Sequence, residues 1–124
     1  MSAKNAINWF EIPASDFDRA VKFYGNIFDM ELPVTNMGDA QMGFFSMGEN
    51  TVGGAVISHA EMKPSTDGTL VYLNGGDDLS SVLNKIEPAG GRVVVPKTQI
   101  TPEIGYFAIF IDTEGNKVAL HSQN

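Results

Sequence analysis

The two histidines of the chain, His59 and His121, each close an apolar stretch and are the first residues to consider for chemistry. They end GGAVISH (53–59) and GNKVALH (115–121), six residues after a glycine in each case. Together with Glu11 they make a two-histidine, one-carboxylate set, which is a recognised arrangement for iron or manganese. A carboxylate and an imidazole in an apolar pocket could also transfer protons. Glu11, His59 and His121 are therefore candidate catalytic residues.

The alternative is that His59 and His121 are hydrogen-bonded surface residues, which is the more common role of histidines at strand ends. The pair could then still bind an anionic or polar ligand, with a charge that titrates near neutral pH. Other chemistries find no support. The chain has no cysteine, neither Ser46 nor Ser58 lies in a nucleophile-elbow motif, and no glycine-rich phosphate loop joins a strand to a helix.

The net charge of −7 argues against nucleic acid as a partner, since a phosphate backbone needs a Lys/Arg surface. The acidity is compatible with a cationic ligand. No apolar run approaches the ~20 residues of a membrane span, and the first residues, MSAKNAINWF, lack the apolar core of a secretory signal. We therefore expect no membrane partner and a cytoplasmic location.

Hydrophobic periodicity predicts an α+β fold in which a β-α-β-β-β unit occurs twice. Ser15 or Asp16 caps a first helix that runs to about Phe28, and Asp77 or Asp78 caps a second helix that ends before Pro88. Strands are expected near residues 7–12, 31–37, 41–47, 52–59, 69–74, 92–95, 106–111 and 117–121.

Sliding the sequence against itself by 62 positions indicates an internal duplication. Trp9 then falls on Val71, and the two histidine-bearing stretches superpose. The predicted organisation is a single domain, residues 1–124, with module one at about 5–60, a linker at 61–68 and module two at about 69–122. Two such units side by side make a cupped, open-barrel mixed sheet with helices outside and a cavity inside.

Strand alternation predicts which side chains face this cavity. Trp9, the sole tryptophan, offers a flat surface for stacking a planar or cationic group, or else it fills the cup as core. Stripes of Phe and Met at 41–47 and of aromatic residues at 106–110 should place half of their side chains in the cup. The predicted ligand-binding residues are Trp9, Glu11, Phe45, Ile57, His59, Val71, Tyr106, Ala119 and His121.

Four segments carry a resemblance to a known family: FEIPASDFDRAVKFY (10–24), LVYLNGGDDL (70–79), AGGRVVVPKT (89–98) and GYFAIFIDTEGNKVALH (105–121). Together they span nearly the whole chain, and the first and last are the specific ones. The sequence resembles the vicinal oxygen chelate superfamily, which includes glyoxalase I, extradiol dioxygenases and bleomycin-resistance proteins.

The resemblance implies a metal site built from four strand positions that His and Glu usually occupy. In this chain these positions are Trp9, Val71, Ala119 and either Ile57 or Ser58, none of which is a good metal ligand. We therefore expect no metal and no cofactor at the usual place. Glu11, His59 and His121 each lie two residues beyond such a position, so a displaced metal site is the alternative.

Three functions follow from these expectations. The first is a metal-independent module that sequesters or senses a small aromatic or cationic molecule, as the resemblance to bleomycin-resistance proteins implies. The second is an enzyme, a glyoxalase-like lyase or isomerase or a dioxygenase, that uses the displaced Glu/His/His site. The third is a subunit whose apolar face binds a protein partner. The resemblance also implies a homodimer, with the cup completed either within one chain or across the dimer.

Overall fold

The computed structural model describes residues 5–45 and 49–124, which form two helices and eight strands. The elements follow the order β-α-β-β-β twice, which confirms the predicted α+β class. We use module one for β1–β4 with α1, and module two for β5–β8 with α2. The elements are β1 (Trp9–Pro13), α1 (Phe17–Phe28), β2 (Val34–Met37), β3 (Ala40–Phe44), β4 (Gly53–Ser58), β5 (Tyr72–Asn74), α2 (Ser80–Ile86), β6 (Arg92–Thr101), β7 (Gly105–Ile111) and β8 (Lys117–Ser122).

Helix α1 begins and ends where local chemistry favours it. The Asp16 side chain accepts a hydrogen bond from the Arg19 amide at 3.1 Å, so Asp16 is the N-cap, and Asp29 ends the helix in the left-handed conformation. Buried residues recur every three or four positions and turn one face of the helix to the sheet: Phe17, Ala20, Phe23, Tyr24 and Ile27. Helix α2 is shorter, and Asp78 accepts from the Ser80 amide at its start.

Each module folds into its own four-stranded mixed sheet, in the orders β1-β4-β3-β2 and β5-β8-β7-β6. The first and last strands of each module, β1 with β4 and β5 with β8, run parallel, and the other pairs are antiparallel. The two sheets form a cup that is not closed into a barrel. Strand β6 extends to Thr101 through Pro96, which a sheet edge tolerates because the missing N–H breaks no ladder.

The helices cover one face of each sheet, and the main core lies there. Phe10 and Ile12 of β1 and Val118 and Leu120 of β8 point into this core, as alternation predicted. The opposite face, here called the cup face, carries a smaller cluster of Met42, Ala55 and Ile57. At the start of β4, Gly53 and Gly54 pair with β1 without a register shift, and at Gly54 a Cβ would collide with the Phe10 ring.

The turn between β7 and β8, residues Asp112–Asn116, ties module two to module one. Buried Tyr24 donates to Asp112 Oδ2 at 2.7 Å, and Asn116 Nδ2 donates to the Pro13 carbonyl at 2.7 Å. Burial, with the neighbouring Asp112 carboxylate, raises the pKa of Tyr24 well above its usual value. This turn therefore also anchors helix α1.

Glu114 of the same turn accepts from the backbone amides of Ser15 and Asp16, at 2.9 and 2.7 Å, and pairs with Arg19 at 2.7 Å. Burial alone would raise the pKa of Glu114, but the hydrogen bonds from Arg19, the Asp16 amide and Thr113 outweigh it and the pKa is lowered. The carboxylate thus occupies the positive end of α1, where negative charge is stabilised.

The structure corrects the predicted register of the internal repeat. Glu11 pairs with Ala55, and Tyr72 pairs with Ala119 in the same relation to the strand ends. Glu11 is thus equivalent to Tyr72, 61 residues later, and Ala55 is equivalent to Ala119, 64 residues later. A uniform shift of 62 therefore misaligned both strands. His121 consequently corresponds to Ile57, not to His59. The predicted end of the third strand, at 46–47, lies outside the described residues.

None of the described helices is long and apolar enough to cross a membrane.

Candidate functional site

On the cup face of module one, Trp9 and Glu11 form an exposed aromatic and acidic pair. The Trp9 side chain is 40% exposed, and its Nε1 donates to Glu11 Oε2 at 3.4 Å. Its ring centroid lies 6.0 Å from that of Phe44, with the two planes tilted by 59°. Beside them, Ala55 is fully buried in the floor of the sheet. This half of the cup therefore offers a ring face, a carboxylate and an apolar floor.

On the cup face of module two, Ala119 takes the place in the floor that Ala55 has in module one. Tyr72 pairs with it and Asn74 pairs with His121. A cavity of about 620 Å³ lies here, and Ile100 contributes to its wall. The cavity residues are Tyr72, Leu73, Asn74, Gly76, Ile100, Ile104, His121, Ser122 and Gln123. The second half of the cup thus contains a cavity lined by apolar side chains together with the polar groups of Asn74, His121 and Gln123.

The structure does not assemble the displaced metal site. His121 Nε2 donates to the Ile104 carbonyl at 2.6 Å, while His59 Nε2 lies 3.1 Å from the Asp39 carboxylate. His59 Nδ1 also accepts from the Glu61 amide, and Glu11 binds Trp9. Across residues 5–45 and 49–124, no group of three His, Cys, Asp or Glu side chains is placed to hold a metal ion. The expectation that Glu11, His59 and His121 converge is wrong, because each histidine has a local partner.

The positions at which the resemblance implied metal ligands carry no suitable donors in this fold. Trp9 and Ile57 lie on the cup face, and Ala119 lies buried in its floor. Ser58 follows Ile57 on the opposite face, and in the corrected register Ala119 corresponds to Ala55 and to neither of these two residues. An indole, a branched alkyl group and a methyl group cannot ligate a divalent ion. The described residues therefore do not fit a metal at the usual place.

Three predicted lining residues, Phe45, Val71 and Tyr106, lie on the helix side of the sheets and not on the cup face. Phe45 packs in the core, with ring centroids 5.5 Å from both Phe10 and Tyr24. Tyr106 shares a face with buried Ala108, and the Lys97 ammonium lies 4.6 Å from its ring centroid.

Val71 packs against the same core, one residue before Tyr72. A slip of one residue exchanges the two faces of a strand, which explains these errors.

Several cup-face residues were missed for the same reason. Tyr72 and Asn74 alternate with Val71 and core-facing Leu73 in VYLN, an alternation that could have identified them. In β7 the cup-facing residues are Phe107 and Ile109, which pair with His121 and Ala119. In β3 the cup-facing aromatic residue is Phe44. No sequence signal marked Ile100 or Ile104, which reach the cavity from the end of β6 and the loop after it.

Comparison with known proteins identifies the family. The profile of the Glyoxalase/Bleomycin resistance protein/Dioxygenase superfamily matches residues 6–120. A glyoxylase-like domain-containing protein of Didymella fabae is 30% identical over 118 residues, covering 92% of this chain and 91% of the relative. A candidate glyoxylase of Mycobacterium bovis, CFP32, is 31% identical over 124 residues, and the chain spans only 45% of its length.

Solved structures show the same fold at low sequence identity. TnmS3, an antibiotic-binding protein from Streptomyces sp. CB03234, matches with a TM-score of 0.69 and 21% identity, covering 100% of this chain and 99% of that one. Leishmania major glyoxalase I matches with a TM-score of 0.68 and 14% identity over 97% and 88% of the two chains. A maize glyoxalase I mutant matches with a TM-score of 0.68 and 16% identity over 94% of this chain, which spans 45% of the maize chain. Fold, repeat and profile agree, and the chain belongs to the glyoxalase/bleomycin resistance protein/dioxygenase superfamily.

Proposed function

We propose that this protein is a metal-independent binding module for a small aromatic or cationic molecule, acting in the cytoplasm as a homodimer. One observation carries the proposal: the exposed Trp9 ring, with Glu11 and Phe44 beside it, lies on a cup face whose floor is apolar. The ligand stacks on Trp9, and its positive charge lies near Glu11.

Three forces favour binding of such a ligand. A cation over an indole face contributes about 0.5–2 kcal/mol, depending on how far it is desolvated. The Glu11 carboxylate adds a charge-assisted contact, and the net charge of −7 attracts cations over a longer range. No step in this recognition needs a metal. TnmS3 supports the proposal because it is an antibiotic-binding protein of the same fold.

Exposed apolar side chains on the cup side support the dimer. Trp9, Tyr72 and Ile104 are 40%, 53% and 51% exposed, which is a high exposure for large apolar groups, and Tyr72 and Ile104 line the same cavity. In our proposal a second copy covers part of this surface and leaves the Trp9 ring accessible to the ligand. Sedimentation at several protein concentrations tests this, and a monomer at every concentration contradicts it.

Trp9 is the sole tryptophan, so its fluorescence reports directly on the site. The experiment titrates the protein with a planar aromatic cation, N-methylacridinium, and with neutral acridine as the uncharged counterpart, in the presence of EDTA. We expect saturable quenching with tighter binding of the cation. Glu11→Gln should weaken binding of the cation by roughly 10-fold and leave the neutral compound unaffected.

The control variants separate stacking from packing. Trp9→Tyr keeps an aromatic face and should retain most of the affinity measured by calorimetry, whereas Trp9→Ala should lose it. Binding that is unchanged in Trp9→Ala, or that requires a divalent ion, would overturn the proposal.

A second candidate function is a glyoxalase-like lyase or isomerase, favoured by the glyoxylase relatives at 30–31% identity, or a dioxygenase, an activity that the family also includes. In this case Glu11 or His121 transfers a proton within the cup. The test measures loss of the methylglyoxal–glutathione hemithioacetal, and oxygen uptake with catechol, with and without Mn²⁺ or Ni²⁺. Turnover that Glu11→Gln or His121→Ala abolishes would favour the enzyme over the binding module.

A further inference from the structure

A second cavity lies at the seam between the modules, where β1 of module one faces the chain before β5 and the start of β8 in module two. It has a volume of about 170 Å³, and the chain segment 63–69 covers it. We call it the charged seam cavity; its lining residues are Glu11, Ile12, Pro13, Lys63, Ser65, Asp67, Thr69, Val71, Asn116, Lys117 and Val118. The covering segment is held in place by the Ser65 amide, which donates to Asn116 Oδ1 at 3.2 Å.

Four charged side chains, two of each sign, surround this small space: Glu11, Asp67, Lys63 and Lys117. In the part of the chain that the structure describes, the ion pairs are Arg19–Glu114, His59–Asp39 and Lys97–Asp78, so none of the four belongs to an ion pair. Opposite charges that line one cavity without pairing leave both signs available to a ligand.

The other end of the seam shows that the fold does not require these charges. The amide of Ala14 donates to the Ile57 carbonyl, and Gly75 donates to His121 in the equivalent place of module two. By this repeat, a second cavity of about 300 Å³ corresponds to the charged one. Its lining is almost entirely apolar: Phe10, Phe28, Met30, Phe45, Val52, Gly53, Leu73 and Asn74. The charges are therefore a property of one end of the seam.

We propose that the charged seam cavity binds a small zwitterion, a molecule with one ammonium and one carboxylate group. Lys63 and Lys117 receive the carboxylate, and Glu11 and Asp67 receive the ammonium group. Ser65 Oγ accepts from the Asp67 amide at 2.9 Å, so its hydroxyl hydrogen can donate to the carboxylate. At about 30 Å³ per water, the space equals that of roughly six waters, which fits a molecule of the size of alanine.

The charged seam cavity differs from the proposed stacking site at Trp9, but both include Glu11. A zwitterion that draws the Glu11 carboxylate into the seam alters the contact between Glu11 Oε2 and Trp9 Nε1. Binding in the seam should therefore change the Trp9 fluorescence even though the ligand does not stack on the indole.

The test is calorimetric titration of the full chain with L-alanine and with β-alanine, and with acetate and methylammonium as single-charge halves. We expect the zwitterions to bind more tightly than either half, because each half contacts only one pair of charges. Lys63→Met and Asp67→Asn should each weaken zwitterion binding about 10- to 100-fold. Lys85→Met, which changes an exposed lysine in the last turn of α2, is the matched control and should bind like the unmodified chain.

Three outcomes would overturn the proposal: no zwitterion binding to the unmodified chain, equal binding of acetate and L-alanine, or equal affinity in Lys63→Met and Lys85→Met. Thermal unfolding of every variant checks that the fold is kept. Since the N-methylacridinium titration uses Trp9 and these titrations use Lys63 and Asp67, a failure here leaves the binding-module proposal standing and the reverse also holds.

Discussion

The two ends of the seam between the modules have equivalent backbones and opposite chemistry. At one end Glu11, Lys63, Asp67 and Lys117 surround the cavity, all of them exposed to solvent. At the other end the lining includes Phe45, which is 9% exposed and packs against three aromatic rings. The duplicated fold therefore determines where the cavities lie. The side chains make one end part of the hydrophobic core and leave charged groups exposed at the other.

If the apolar end contributes stability, the largest effect should come from Phe45→Ala. Removing this ring from its contacts with Phe10, Tyr24 and Phe28 leaves a cavity in the core, and we expect the free energy of unfolding to fall by about 3–5 kcal/mol. Urea denaturation measures the change. Phe45→Leu should cost clearly less, and equal losses in the two variants would contradict the cavity explanation.

The turn that ties the modules together should give an intermediate effect. Glu114→Ala leaves the Ser15 and Asp16 amides without their acceptor and Arg19 without its partner, so unfolding should become easier by about 1–3 kcal/mol. Glu114→Gln keeps an oxygen acceptor for the amides and should recover part of the loss. The comparison uses thermal or urea unfolding, and a Gln variant no better than Ala would show that the charge alone matters.

A smaller, pH-dependent effect is expected at the surface pair of Asp78 and Lys97, whose atoms lie 2.9 Å apart. The hydrogen bond from Lys97, with those from Ser80, lowers the pKa of Asp78 from 3.8 to about 2. A carboxyl whose pKa falls on folding stabilises the protein above its unfolded pKa, and this stabilisation is lost as the pH falls through the folded value.

Asp78→Asn should therefore be slightly less stable than the unmodified chain at pH values above about 4, and the difference should shrink towards about pH 2. The melting temperatures of the two proteins across this range measure it. A difference that stays constant with pH would assign the effect to the hydrogen bond with Ser80 and not to the charge.

The charged end should give the smallest change in stability. Lys63→Met and Asp67→Asn alter exposed, unpaired side chains, so each should shift the free energy of unfolding by less than about 0.5 kcal/mol. These are the variants that should weaken zwitterion binding. A large loss of stability in either variant would show that the two ends of the seam are energetically alike and would remove the contrast between them.

The element order was predictable because its signals are local. The Asp16 cap, the helical spacing of Phe17, Ala20 and Tyr24, and the turn that joins β7 to β8 all depend on neighbours within a few residues. The faces of β1 and β8 followed from alternation, since Phe10 and Leu120 are in the core as expected. The cup-shaped arrangement of the two sheets was predictable from the internal duplication of the sequence.

The candidate site was only partly predictable because strand register is not local. A slip of one residue placed Val71 on the cup face in place of Tyr72, and a doublet of phenylalanines left Phe44 and Phe45 indistinguishable by type. The partners of His59 and His121, Asp39 and Ile104, come from a hairpin and a loop whose positions no pattern in the sequence indicated.

By itself the sequence determined the α+β class, the repeated unit and the absence of ligating side chains at Trp9, Val71 and Ala119, because residue type and short-range periodicity suffice for these. Only the tertiary structure decided that the histidines stay apart and that Trp9 adjoins Glu11 and Phe44. It also brought Lys63 and Asp67 of the linker beside Glu11. Such proximities depend on strand pairing and on the packing of one module against the other. Both result from many weak contacts between residues that are far apart in the sequence.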